Sequence, residues 1–273
     1  MAQSRRARRL RRTLAIVIGT SIALTTWALI GSGRPAPRAQ LAVPGPSTGK
    51  AADLYRTLRA LTDYPHSADG LAIEKVRSAA DGQMRLIVYL GGTTGPTHQF
   101  ATRGLWRDVL LYVGVRLDTS ITERIDKALQ GLPTTTQIML IGYSQGGMDA
   151  QTIATHWADK PHSGVISTVM TYAAPIIEPP GANARHYIFL QAQGDPVVDL
   201  TERFGTYGYG SDWAGELFKR SSGLGDTGFN IHFNPQTYIN VGALFDDQTV
   251  TGYPEVKTDL ARFAGTALSC DQY

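Results

Sequence analysis

The sequence predicts an α/β protein: a mainly parallel central sheet with helices on both faces, preceded by an N-terminal hydrophobic helix. Three observations carry this expectation. A continuous apolar run at residues 86–90 and largely apolar segments at 138–143, 165–172 and 187–191 are short, as strands buried on both faces are. Segments of helical periodicity lie between some of these runs, which is the alternation of a parallel sheet with crossover helices. With 273 residues, 42% hydrophobic and 18% charged, the chain suffices for one sizeable core and has an ordinary globular composition.

Taken in order, the chain opens on Arg5, Arg6, Arg8, Arg9, Arg11 and Arg12, followed by residues 13–30 without a charge. A basic head before an apolar stretch is the layout of an export signal or a membrane anchor, and the sequence leaves open which of the two. Residues 1–30 are therefore expected to direct export, leaving the body secreted or held at the cell membrane by residues 13–30. Residues 31–49 are rich in proline, glycine and serine and read as a linker, so the domain is expected over 50–273. Leu54, Leu58 and Leu61 share one face of a helix starting near Ala51. Residues 71–80 are ambiguous, and 104–118 fit helix or strand.

Ser120 and Glu123 have capping-box spacing ahead of Ile121, Ile125, Ala128 and Leu129, which predicts an amphipathic helix ended by Gly131 and Pro133. After the strand at 138–143 a helix is expected over 145–159, with Met148, Ile153 and Trp157 inward. Strands at 165–172 and 187–191 follow. Cys270 has no second cysteine to pair with and reads as an incidental thiol near a mobile terminus.

The net charge of +3 does not indicate a nucleic-acid partner. Eight arginines precede Asp53, the first acidic residue, and the remaining 18 basic residues face 23 acidic ones. No His, Cys or Glu spacing suggests a metal site, and no cofactor is implied.

Chemistry concentrates where strands end, because ligands of such sheets bind beyond the carboxyl ends of the strands. Gly142, Ser144 and Gly146 form a G-x-S-x-G turn between a strand and a helix, where small neighbours permit a bend that lifts the serine hydroxyl off the sheet. A serine needs a base to remove its proton, and the base needs an acid to fix its tautomer. His232 is the favoured base, since His186 opens a strand and so lies at its wrong end. Asp195, in a turn after a strand, is the favoured acid, with Asp199 the rival and Asp212 and Asp226 solvated carboxylates. The backbone N–H groups of Gln145 and of Gly92 or Thr93 are candidates for an oxyanion hole. His98 shares the Gly92 loop and reads as a surface residue.

The segments LIVYLGGT, IGYSQGG, TYAAP and QGDPVV, followed by His232, resemble the α/β-hydrolase superfamily, especially its cutinase-like, PE-PPE-type and class 3 lipase branches. The resemblance spans roughly residues 85–235. It implies an α/β-hydrolase-like fold and hydrolysis of carboxylic esters, of small molecules or lipids, with Ser144 as nucleophile, Asp195 as acid, His232 as base, and Gln145, Gly92 and Thr93 around the oxyanion. Acyl transfer by the same residues, or a non-catalytic anchored binding module with a hydrolase frame, are the alternatives. The chain departs from true cutinases in lacking disulfides. Residues 201–230, with Tyr207, Tyr209, Trp213, Leu217 and Phe218 amid glycines, read either as a lid or pocket wall or as a surface loop with a short packed helix.

Overall fold

The computed structural model describes residues 46–63, 69–92, 120–159, 164–177, 184–199, 216–247 and 253–272. Within them runs a mixed, mostly parallel sheet of seven strands. In chain order the elements are α1 (Ala51–Thr62), β1 (Leu71–Ser78), β2 (Met84–Leu90), α2 (Ser120–Leu129), β3 (Gln137–Tyr143), α3 (Gln145–His156), β4 (Val165–Tyr172), β5 (His186–Ala192), β6 (Glu216–Arg220), α4 (Phe229–Phe233), α5 (Pro235–Asp246), α6 (Pro254–Ala261) and β7 (Gly265–Gln272). A 3₁₀ turn, Trp157–Asp159, extends α3. The sheet order is β6-β5-β4-β3-β2-β1-β7. Strands β2 to β6 pair in parallel, whereas β1 is antiparallel to both β2 and β7.

Burial explains why the central strands read as apolar runs. Ile138, Met139, Leu140 and Ile141 of β3 are all inaccessible to solvent, and their side chains alternate between two cores. Met139 and Ile141 pack with Leu54, Leu58, Tyr238, Phe245 and Leu260, from α1, α5 and α6. Ile138 and Leu140 pack with Ile121, Ile125, Ile153 and Trp157, from α2, α3 and the 3₁₀ turn. Helices therefore cover both faces, and each strand residue meets apolar neighbours whichever way it points.

Three strands escape that rule. β1 carries Glu74, Lys75 and Arg77, yet is paired along its length with β2. Its Glu74 is buried and accepts a hydrogen bond from the Tyr89 hydroxyl at 2.9 Å. β6 corrects both readings of 201–230 over residues 216–220, which form a strand of the sheet and neither a lid nor a packed helix. Strand alternation turns Phe218 into one core, edge-on to Phe245, and Leu217 toward the other. Residues 201–215 lie outside the described residues. β7 is exposed along nearly its whole length and is held by its ladder to β1. Cys270 thus sits in an edge strand opposite Glu74, not in a loose tail.

The folded body includes residues just before Lys50. Ser47 forms a β-bridge with Gly265, and Gly49, at φ 68°, is buried beside the Leu260 carbonyl. The basic head, the apolar stretch 13–30 and most of the linker lie outside the described residues, as do Thr93, His66, His98, His162, Asp212 and residues 104–118. Among the described residues no helix is long and apolar enough to cross a membrane.

Candidate active site

Ser144 follows the last residue of β3 and precedes α3 in a backbone conformation of φ 52°, ψ −118°. A non-glycine residue occupies that region at a cost of order 1–3 kcal/mol, and only where its surroundings over-determine it. They do so here. The Ser144 N–H donates to the Tyr172 carbonyl at 2.9 Å, and its own carbonyl accepts from Gly147 at 3.0 Å and Met148 at 3.3 Å. Gly142 and Gly146 permit the bend for a steric reason. A Cβ at Gly142 would overlap the Gly146 carbonyl, and one at Gly146 would overlap the Leu90 and Gly91 carbonyls. The tight packing of strand end against helix start leaves no volume for either methyl group.

Asp195 stands three residues past the end of β5, in a turn closed by its N–H to the Ala192 carbonyl. Gly194, at φ 83°, supplies the left-handed step that this turn requires. Asp195 is fully buried. Burial pushes its carboxyl up, but the His232 charge, the hydrogen bonds from His232 and Tyr238 and the Val197 N–H together hold it below the ordinary range for an aspartate.

His232 lies in a short helix, α4, entered through Gly228 at φ 57°. Its position is pinned from several sides. The Tyr143 hydroxyl donates to the His232 carbonyl at 2.7 Å, and the two rings stack at 5.4 Å with 27° between planes. Phe233 meets the imidazole edge-on at 5.1 Å. Asn234 then ends α4 and caps α5 by accepting from the Gln236 N–H, while its own amide donates to Asp226 at 2.7 Å.

These positions bring the three side chains together. Nδ1 of His232 stands 2.9 Å and 3.2 Å from the two Asp195 oxygens, and Nε2 stands 3.1 Å from Ser144 Oγ. With Nδ1 donating to the carboxylate, Nε2 is left as the acceptor for the serine hydroxyl. Only Ser144 of the three is appreciably accessible. The arrangement can pass a proton from the hydroxyl to the imidazole while the buried carboxylate stabilises the resulting cation.

At the front of the site the Gly92 backbone runs close over the bend. A Cβ there would lie 2.8 Å from the Tyr143 ring and 3.4 Å from Ser144 Cβ. The Gln145 N–H is the first of α3 and has no acceptor within the helix, as holds for the first turn of any helix. The Gln145 side chain was not singled out from sequence. It is fully buried, and both its amide atoms lack a hydrogen-bond partner among the described residues.

The other candidates go elsewhere. Asp199 accepts from Lys219 at 3.0 Å. His186 is held by Asp259 at 2.8 Å, at the amino end of β5. Among the described residues no group of three His, Cys, Asp or Glu side chains is placed to hold a metal ion.

Sequence reasoning missed a buried polar cluster behind His232. Arg59 of α1 donates to the Tyr55 hydroxyl at 2.9 Å, pairs with Asp63 at 2.8 Å, and lies 4.7 Å from the centre of the Tyr143 ring. Tyr238 of α5 reaches Asp195. No local pattern marks this cluster as part of a site, because α1, which carries Tyr55 and Arg59, β3, which carries Tyr143, and α5, which carries Tyr238, become neighbours only in the folded chain.

The chain matches no known family model. No curated protein and no solved structure matches it either. The reading of this site therefore rests on its geometry.

Proposed function

We propose that the protein is a serine hydrolase of the α/β-hydrolase type that cleaves carboxylic esters through an acyl-enzyme on Ser144. One observation carries the reading: an unbroken hydrogen-bonded chain from a backbone-strained, accessible serine through His232 to a buried, ionised aspartate. Strain of that kind persists where the surroundings hold it in place, and it clusters at functional sites.

The steps follow from the atoms in place. His232 Nε2 takes the Ser144 hydroxyl proton as Oγ attacks the ester carbonyl, whose π electrons move onto oxygen. The Gln145 N–H, with the Gly92 and Thr93 loop, supplies donors to that oxyanion. Collapse expels the alcohol oxygen, which takes its proton from Nε2 and leaves the acyl group on Ser144. Water repeats the sequence, giving its proton to Nε2, and Ser144 regains a proton as the acid departs. Asp195 stays ionised throughout and stabilises the imidazolium. The basic head and apolar stretch of residues 5–30 accord with export of this body to the cell exterior or the outer face of the membrane, toward an ester or lipid substrate.

A fluorophosphonate probe tests the proposal. The folded protein should be labelled at Ser144, labelling should vanish in Ser144→Ala, and the same variant should lose turnover of short nitrophenyl esters. Absence of labelling in the folded wild-type chain would leave a binding module in a hydrolase frame as the better reading. Product analysis with added alcohol separates hydrolysis from acyl transfer.

A further inference from the structure

A fully buried carboxylate must have its lone pairs occupied to remain charged. At Asp195 the Val197 N–H donates to Oδ1 at 2.9 Å, and His232 Nδ1 approaches Oδ2 most closely. A third donor completes the set: the Tyr238 hydroxyl lies 2.5 Å from the same Oδ2, the short separation of a charge-assisted O–H···O⁻ bond. Its direction is fixed by a second contact. The Ala192 N–H donates to the Tyr238 oxygen at 3.3 Å, so the phenol proton is the one directed at Asp195. Burial, reinforced by the neighbouring carboxylate, keeps the phenol protonated far into alkali.

We infer that Tyr238 is a positioning residue of the Ser144–His232–Asp195 relay, sharing Oδ2 of Asp195 with the imidazole and so setting both the carboxylate's rotation and the charge it presents to His232. The inference rests on the hydrolase reading above. Tyr238 lies in α5, whose cap, Asn234, also closes the helix bearing His232, so one short segment carries both side chains that grip Oδ2 of Asp195. Its ring is held between Tyr55 at 5.8 Å and Tyr143 at 6.3 Å. Because its hydrogen bond draws charge from the oxygen nearest Nδ1, losing it makes Asp195 a stronger partner for the imidazolium and frees it to turn.

Among the described residues the charged and titratable groups around this cluster are few. Tyr55 and Arg59 face it from α1, Tyr143 from β3, and Tyr172, packed on Tyr55, from β4. Burial raises all three of those phenols, and Arg59 stays charged because its partners Tyr55, Tyr143 and Asp63 outweigh its own burial. On the Asp195 turn, Asp199 is paired with Lys219, and beside α4 Asp226 is held by Asn234.

The test is the pH profile of kcat and kcat/KM on a nitrophenyl ester for wild type, Tyr238→Phe, Thr237→Val, Asp195→Asn and the Asp195→Asn/Tyr238→Phe double variant. Thr237 is the neighbouring residue, with a buried hydroxyl that has no partner among the described residues, and serves as the structural control. Tyr238→Phe should lower kcat about tenfold with KM little changed. It should also move the acid limb, which reports protonation of the general base, to higher pH by about half a unit. Thr237→Val should leave the limb in place, and adding Tyr238→Phe to Asp195→Asn should slow the enzyme no further. An unmoved acid limb in Tyr238→Phe, or losses that multiply in the double variant, would overturn the inference while leaving the hydrolase reading intact. If circular dichroism shows that Tyr238→Phe is not folded, Tyr238→3-fluorotyrosine replaces it. That phenol is the stronger donor and should move the limb to lower pH, and no movement would again overturn the inference. A folded wild-type chain inert to the esters and to the fluorophosphonate probe would remove the underlying reading, and this inference with it.

Discussion

Two histidine–aspartate pairs stand at opposite ends of β5, and their surroundings differ. At the amino end, His186 lies 2.8 Å from Asp259. At the carboxyl end, His232 lies 2.9 Å from Asp195. The distances are alike and both carboxylates are buried. What differs is the surroundings of each carboxylate. Asp259 is also approached by Arg185 at 3.4 Å and Arg262 at 3.3 Å, so its charge is divided among cations on the rim. Among the described residues no Arg or Lys pairs with Asp195, and the Nε2 of its partner His232 faces a serine held in a strained bend. A histidine–aspartate pair is therefore structural unless the carboxylate's charge is kept for the imidazole and a hydroxyl waits beyond it.

The comparison is broken most severely at His232. His232→Ala should cost on the order of 10⁴-fold or more in ester turnover while the far-ultraviolet circular dichroism stays that of the folded chain. Retained turnover would move the base elsewhere and erase the distinction between the two pairs. Next in size is Gly146→Ala. The added methyl must push the start of α3 off the Leu90 and Gly91 carbonyls, and a loss of about 3 kcal/mol of stability is expected in urea unfolding, with most of the activity. Unchanged stability would mean that the bend is not sterically enforced. The smallest effect belongs to the other pair. His186→Asn should cost about 1 kcal/mol of stability and leave the ester pH profile unaltered, so any shift of that profile would show the two ends of β5 to be coupled.

How far the chain could be read in advance varied with how each element is stabilised. β2, β3, β4 and β5 are legible because burial on both faces makes almost every residue apolar, and α3 because its start is marked by the glycines around Ser144. β1 was ambiguous because buried Glu74 breaks the apolar run, and its partner Tyr89 is fifteen positions away. β6 and β7 carry too little apolar pattern to announce themselves, since a backbone ladder stabilises a strand whatever side chains it bears. Of the candidate site residues, Ser144 and Asp195 were legible through turn chemistry, and His232 through chain order and elimination. Arg59, Tyr143 and Tyr238 were not legible as site residues, because the contacts that tie them to the site cross from one helix or strand to another.

By itself, then, the sequence determined the layered α/β architecture and the three residues worth testing, because solvent exclusion and tight turns leave local marks in residue type and spacing. The tertiary structure alone decided that those three side chains meet, that Asp259 rather than a serine partners His186, and that Tyr238 grips Asp195. Those outcomes depend on strand register and helix placement, and hydrogen-bond geometry is settled over a few tenths of an ångström that no local pattern encodes.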